Sequence, residues 1–139
     1  MNFYKPVHFK LEELVPENIF AARGAKSLEL LDPRMLYTID CLREFFNVPL
    51  TINDWLWNGK NHYRGFRPQG SAVGAALSMH RLARAYDIVS PKMTAEEMRL
   101  KILECNKLFP YIRRMEADVT WLHIDNANIN HDGIYLFKP

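Results

Sequence analysis

Cysteine is scarce in this chain, and the patterns that would give it a role are missing. The two residues, Cys41 and Cys105, fall in helical stretches, and neither has a Cys-x-x-Cys or Cys-x-His spacing. No thiolate metal motif is therefore present, and both are expected as buried free thiols. Charge of one sign is not massed anywhere: 18 Lys and Arg stand against 16 Asp and Glu, for a net charge of +2. Without a dense basic stripe or a recognition helix, nucleic acid is not an expected partner. Long apolar runs are absent too, so no segment reaches transmembrane length and no membrane association is expected. Met1 to Lys10 lacks the apolar stretch and small-residue cleavage site of a signal peptide, which leads to an expectation of synthesis in the cytoplasm. Internal repeats and low-complexity segments are also missing.

What the chain does have is apolar material for one core. With 139 residues, 48% of them hydrophobic, it is expected to form a single monomeric domain over residues 1–139, with a helical part at 1–47 and a sheet part at 48–139. A short helix follows Pro16 and stops at Gly24. In LLDPRMLYTIDCLREFFN, Asp32 suits the cap and Pro33 the first helical position. Met35, Ile39, Leu42 and Phe46 then recur at helical spacing. VPLTIN reads as a strand and leads into a long polar and aromatic stretch, DWLWNGKNHYRGFRPQGSAVGA, of the kind that usually carries function. RAYDIV reads as a strand, and Thr94 with Glu97 forms a capping box for the helix TAEEMRLKILECNKLF. YIRRME, WLHIDN and GIYLF read as three further short strands. The fold class expected is α+β, a small antiparallel sheet with helices packed mainly on one face.

The chemistry-bearing residues sit where strands and loops meet. In Trp121 to Asp125 the period of two places Trp121, His123 and Asp125 on one face and Leu122 and Ile124 on the other, toward the core. His123 thus projects from a rigid element. His80 ends the long loop, and Asp87 follows seven residues later on a strand. Two imidazoles and a carboxylate make a ligand set that leaves zinc a fourth position for water, as catalytic sites do.

Ser78, His80, Asp87, His123 and Asp125, with Arg64-Gly65-Phe66-Arg67 upstream, resemble the zinc D-Ala-D-Ala carboxypeptidases and L-alanyl-D-glutamate peptidases of bacteria and phages. The resemblance runs from about Leu50 to Phe137. In that family Ser-x-His is followed after six residues by Asp, and much later by a His-x-Asp pair on a strand. Its upstream element is of the type Ser-Gly-Tyr-Arg. The resemblance implies a fold of the hedgehog and D,D-peptidase type, Zn2+ held by His80, Asp87 and His123, and Arg67 as the group that clamps a substrate carboxylate. It also implies Ser78 as a substrate contact, and peptidoglycan stem peptide or muropeptide as substrate. The site of action would then be the cell wall, reached in a phage setting through lysis.

Two positions depart from the family pattern. Ala83 stands where the family has glycine, and Thr120 stands three residues before the second histidine, where many members carry the glutamate that acts as general base. Threonine cannot do that job. Glu116 is the expected catalytic base in its place, with Asp118 as the alternative. Thr120 also supports a competing reading, a noncatalytic zinc-bearing domain that binds the wall or a phage structure. Trp55, Trp57, Tyr63 and Phe66 either line a substrate groove or pin the long loop to the core. His62 and His131 are expected as solvated loop histidines. Arg64, Arg81 and Arg84 are expected as surface or supporting charges, with Asp125 as a partner for Arg84.

Overall fold

The computed structural model describes residues 4–71 and 78–139. The expected stretch 54–75 and its continuation to Ser78 therefore lie partly outside the described residues. The architecture is α+β. Among the described residues, three α-helices, α1 (Glu17–Arg23), α2 (Pro33–Phe46) and α3 (Ala95–Glu104), accompany four strands: β1 (Ala85–Ile88), β2 (Arg114–Glu116), β3 (Leu122–Asp125) and β4 (Tyr135–Phe137). Short 3-10 turns fill the connections.

Helix α2 forms for the reasons its sequence suggests. The Asp32 carboxylate accepts the backbone N–H of Arg34, Pro33 opens the first turn, and Asn47 ends the helix in a left-handed conformation. Thr94 caps α3 in the same way, its hydroxyl accepting the N–H of Glu97. The expected extent of α3 shortens by a turn, because the chain passes into a 3-10 turn at Asn106–Leu108. Both cysteines are free and half-buried rather than buried.

The strand order is β1-β3-β2-β4. β3 runs antiparallel to both neighbours, but β4 joins β2 in parallel, so the sheet is mixed rather than wholly antiparallel. β3 ends at Asp125 beside Arg114, the first residue of β2, and the connection to Tyr135 crosses that end of β2 so that β4 starts level with it on the other side. VPLTIN does not form a full strand. Only Thr51 bridges, to Val89, while Leu50 and Ile52 are buried beside it.

Alternation divides the sheet into two unlike faces. Tyr86, Ile88, Met115, Leu122 and Ile124 join Met35, Ile39 and Leu42 of α2 and Met98 and Ile102 of α3 in one apolar cluster. The opposite face carries Asp87, Arg114, Glu116, His123, Asp125 and Phe137. Because the helices cover only the apolar face, the polar one is left for chemistry.

Three buried polar residues fix the segments around that face. Asp40 on α2 accepts the Tyr4 hydroxyl and the N–H groups of Val7 and His8, which ties down the N-terminal segment. Asn53, fully buried, donates its amide to the Val15 carbonyl and accepts the N–H of Arg64. Arg99 of α3 donates to the carbonyls of Glu116, Val119 and Trp121, so its guanidinium holds the turn between β2 and β3. Each satisfies backbone groups that no ladder reaches.

Candidate metal centre

The β1–β3 register sets Asp87 opposite His123, with both side chains on the polar face. His123 Nδ1 lies 2.8 Å from Asp87 Oδ1. His80 reaches the same carboxylate from the 3-10 turn Met79–Leu82, its Nε2 lying 3.3 Å from Asp87 Oδ2. That turn begins with the Ser78 hydroxyl accepting the His80 N–H. It ends at Ala83 with φ of 57°, the left-handed conformation that glycine adopts without strain. The turn is kept with alanine in that place, whose small methyl is buried.

The tautomer of His80 follows from its surroundings. Its Nδ1 is 2.8 Å from the Gly65 carbonyl, which can only accept, so Nδ1 carries a proton, and Nε2 is the nitrogen turned toward Asp87. The Gly65 carbonyl is itself held in place, because the flanking Phe66 and Arg67 donate their N–H groups to the Leu14 and His80 carbonyls. His123 is placed between two carboxylates. Its Nδ1 faces Asp87, and its Nε2 donates to Asp125 Oδ2 at 2.7 Å. Asp125 is fully buried. It accepts two bonds from Arg114 Nε, one from Arg114 NH2 and one from the Ala127 N–H. Arg114 in turn lies over the Phe137 ring, 4.5 Å from its centroid.

The electrostatics follow this wiring. Burial alone would lower the pKa of His123, but the hydrogen bonds to Asp125 and Asp87 outweigh it and hold the imidazole at about 9. Burial opposes the charge of Asp87, and the bonds from His123 and His80 still keep its carboxyl well below the ordinary range. Asp125 is likewise held low against its burial by His123 and Arg114.

Donor atoms of His80, Asp87 and His123 all lie within 4.8 Å of one another, and all three residues are buried. The donor chemistry fits a zinc ion. With Nδ1 held by Gly65, His80 has Nε2 to give, Asp87 offers a carboxylate oxygen, and loss of one proton from His123 frees Nδ1 while Nε2 stays on Asp125. A histidine backed by a carboxylate is the usual support for a metal ligand.

The cleft in front of these donors, of about 360 Å³, is lined by Arg67, Ser78, Glu116 and Trp121 as well as by the three donors, with Arg114 and Phe137 at one side. The residues expected from sequence as base, clamp and substrate contact therefore share one space with the metal donors. Arg67 donates to the Tyr63 carbonyl at 2.7 Å and to Asp87 at 3.3 Å. Burial lowers the pKa of its guanidinium, while Asp87 and Glu116 favour the charge. Asp118 is elsewhere: it occupies a turn at φ of 61°, exposed, with Lys138 at 3.9 Å. Thr120 is exposed on the rim of a neighbouring cleft.

The pairing expected for Arg84 needs correction, and the open roles of the loop aromatics resolve. Arg84 does not pair with Asp125; it donates to the Asn126 side chain and carbonyl, each at 2.6 Å. Trp55, Trp57, Tyr63 and Phe66 do not line the cleft. Trp55 donates its indole N–H to the Val15 carbonyl and stacks on His62, Phe66 packs against the core, and Trp57 is exposed. His131 sits at the surface against Tyr135. The aromatic walls are instead Trp121 and Phe137, both on the polar face by simple alternation. Arg114 was also legible by that rule, since it shares a strand face with Glu116. Among the described residues no helix is long and apolar enough to cross a membrane. No family model, curated protein or solved structure matches the chain.

Proposed function

We propose that the protein is a zinc-dependent peptidase that hydrolyses peptidoglycan stem peptides, as a D,D-carboxypeptidase or as an L-alanyl-D-glutamate endopeptidase. The observation that carries this reading is the convergence of His80, Asp87 and His123 at the floor of an open cleft that also holds Glu116 and Arg67. A structural zinc site would be closed by a fourth protein ligand, whereas three donors beneath a cleft leave room for water and substrate. Zinc bound there supplies Lewis-acid polarisation of a carbonyl and acidifies a water toward neutrality.

The side chains divide the remaining work. Glu116 accepts the proton of the attacking water and returns it to the leaving amine. Arg67 holds a substrate carboxylate in a charge-assisted pair. Ser78 offers a hydroxyl at the cleft wall, and Trp121 and Phe137 exclude water. Asp125, locked by Arg114, keeps His123 in one orientation, so the donor set is rigid before substrate arrives.

The test is elemental analysis of the purified protein and of His80→Ala and His123→Ala, followed by muropeptide digestion with the same samples. One zinc per chain in the parent, lost in both variants together with cleavage, is the expected result. Absence of metal from the parent refutes the reading. Zinc without cleavage would instead favour a noncatalytic zinc-bearing wall-binding or phage-structure domain, the reading that Thr120 at the usual base position supports.

A further inference from the structure

A second cleft meets the first at two shared residues. It has a volume of about 290 Å³ and is lined by Arg64, Asp87, Val89, Thr120 and Trp121; Asp87 and Trp121 belong to both clefts. A proposed metal ligand thus borders both cavities, with one indole forming a wall common to both. Trp121 keeps about a third of its surface exposed there.

The arginines of the two clefts are in different states. Arg67 commits its Nε and Nη2 to Tyr63 and Asp87, which leaves Nη1 to meet a substrate. The head of Arg64 makes no hydrogen bond or ion pair among the described residues, yet its backbone is anchored on both sides. Its N–H donates to Asn53 Oδ1 at 2.9 Å, and its carbonyl accepts the Asp87 N–H at 2.8 Å. Asp54 is the acid that feels the charge of Arg64, but Asp54 is occupied by the backbone N–H and side-chain amide of Asn61. A half-buried cation with a fixed base and an uncommitted head, in a cleft that it lines with Thr120 and an indole, suits a carboxylate. An arginine presents its donors to one in a matched fork.

We propose that the Arg64 cleft is a second substrate subsite, which binds a carboxylate of a peptide that crosses the metal centre instead of ending at it. The inference rests on the peptidase reading and narrows it. A carboxypeptidase needs one cleft with a cation at its closed end. Two clefts meeting at Asp87, each with its own arginine, suit an endopeptidase acting on an acidic peptide. Trp121 would then cover the peptide where it passes from one cleft to the other.

The test compares cleavage of L-alanyl-D-isoglutamyl-L-lysine with that of its isoglutaminyl counterpart, which differs only by amidation of one carboxylate. The zinc-supplied parent, Arg64→Gln, Arg64→Lys and Arg67→Gln are assayed together, and each is titrated with glutarate while the Trp121 indole N–H is followed by NMR. The parent is expected to prefer the carboxylate peptide by about tenfold in kcat/KM, the scale of one charge-assisted bond. Arg64→Gln should lose the preference with zinc content unchanged, and Arg64→Lys should keep part of it. Equal cleavage of the two peptides by the parent overturns the inference, as does a preference that survives in Arg64→Gln but vanishes in Arg67→Gln. If the parent cleaves neither peptide, the peptidoglycan reading fails and glutarate decides the subsite. An indole shift present in the parent and absent in Arg64→Gln upholds the anion site, and no shift in the parent refutes it.

Discussion

Gly65→Ala is the substitution for which the structure makes the sharpest demand. A Cβ built at Gly65 would collide with the Leu14 carbonyl oxygen and lie 3.1 Å from the Leu14 carbonyl carbon and 3.2 Å from Tyr86 Cε1. None of these is the loose end of a flexible chain: Leu14 and Tyr86 are fully buried, and Leu14 is tied by its carbonyl to Phe66. Overpacking at such a place costs about 1–3 kcal/mol, and the lower entropy of the unfolded alanine chain returns less than about 1 kcal/mol. A net loss of about 2 kcal/mol corresponds to a melting point lower by about 8 °C for a domain of this size. The effect should also reach the site, because the Gly65 carbonyl accepts the His80 Nδ1–H and would be pushed with its segment. Zinc affinity should fall by about tenfold, as it does when the partner of a ligand histidine is disturbed. Gly70→Ala is the control. Its φ is +83° and nothing lies within 4 Å, so it carries backbone strain of about 1 kcal/mol and no collision. Thermal melts followed by circular dichroism, with calorimetric zinc titration, measure both variants. If Gly65→Ala melts within about 2 °C of the parent, the close approach of Gly65 to Leu14 is wrong. If it melts low but binds zinc as tightly as Gly70→Ala does, the link from Gly65 to His80 is wrong.

Glu116→Gln should keep zinc and lower turnover by about 10²-fold or more, while Asp118→Asn, altering an exposed turn residue, should stay within about twofold; the reverse pattern in a muropeptide assay would move the base to Asp118. The metal-free protein should also lose stability as pH rises. His123 titrates at about 9 when folded, against an ordinary value of 6.5, so its contribution is fully present below 6.5 and is lost as pH climbs through 9. The loss amounts to about 3 kcal/mol, and urea melts of chelator-treated protein between pH 6 and pH 10 should show it; a flat profile would mean that the two carboxylates do not hold the imidazole charged.

The parts of the site that were legible in the sequence are those governed by local periodicity. Alternation puts His123 and Asp125 on one face of their strand, and the structure brings His123 together with Asp87 and His80. Alternation says nothing about which strand lies next door, and that is where expectation failed. Arg84 was expected to pair with Asp125, but the register places Ala85 opposite Asp125 on one side and Arg114 opposite it on the other. Arg114 shares the face of Asp125, whereas Arg84 is one residue out of phase with Ala85. The parallel pairing of β4 was hidden for the same reason, since a short strand after a turn does not carry the direction of its neighbour. Asn53 and Arg99 were missed for another: each stabilises backbone carbonyls far away in sequence, and no side-chain pattern records an orphan carbonyl.

The same distinction bears on the absent glutamate at Thr120. A base placed three residues before His123 would approach the donors from the turn that precedes β3. Glu116 approaches from β2, the strand beside β3, on the face that Arg114 shares with Asp125. Arg99 holds the intervening turn by the carbonyls of Glu116, Val119 and Trp121, so the end of β2 and the start of β3 are fixed to one guanidinium. As the proposed base, Glu116 would share a face and a cleft with the donors rather than a place in a motif, and a substitution that loosens Arg99 should impair Glu116 and Trp121 together.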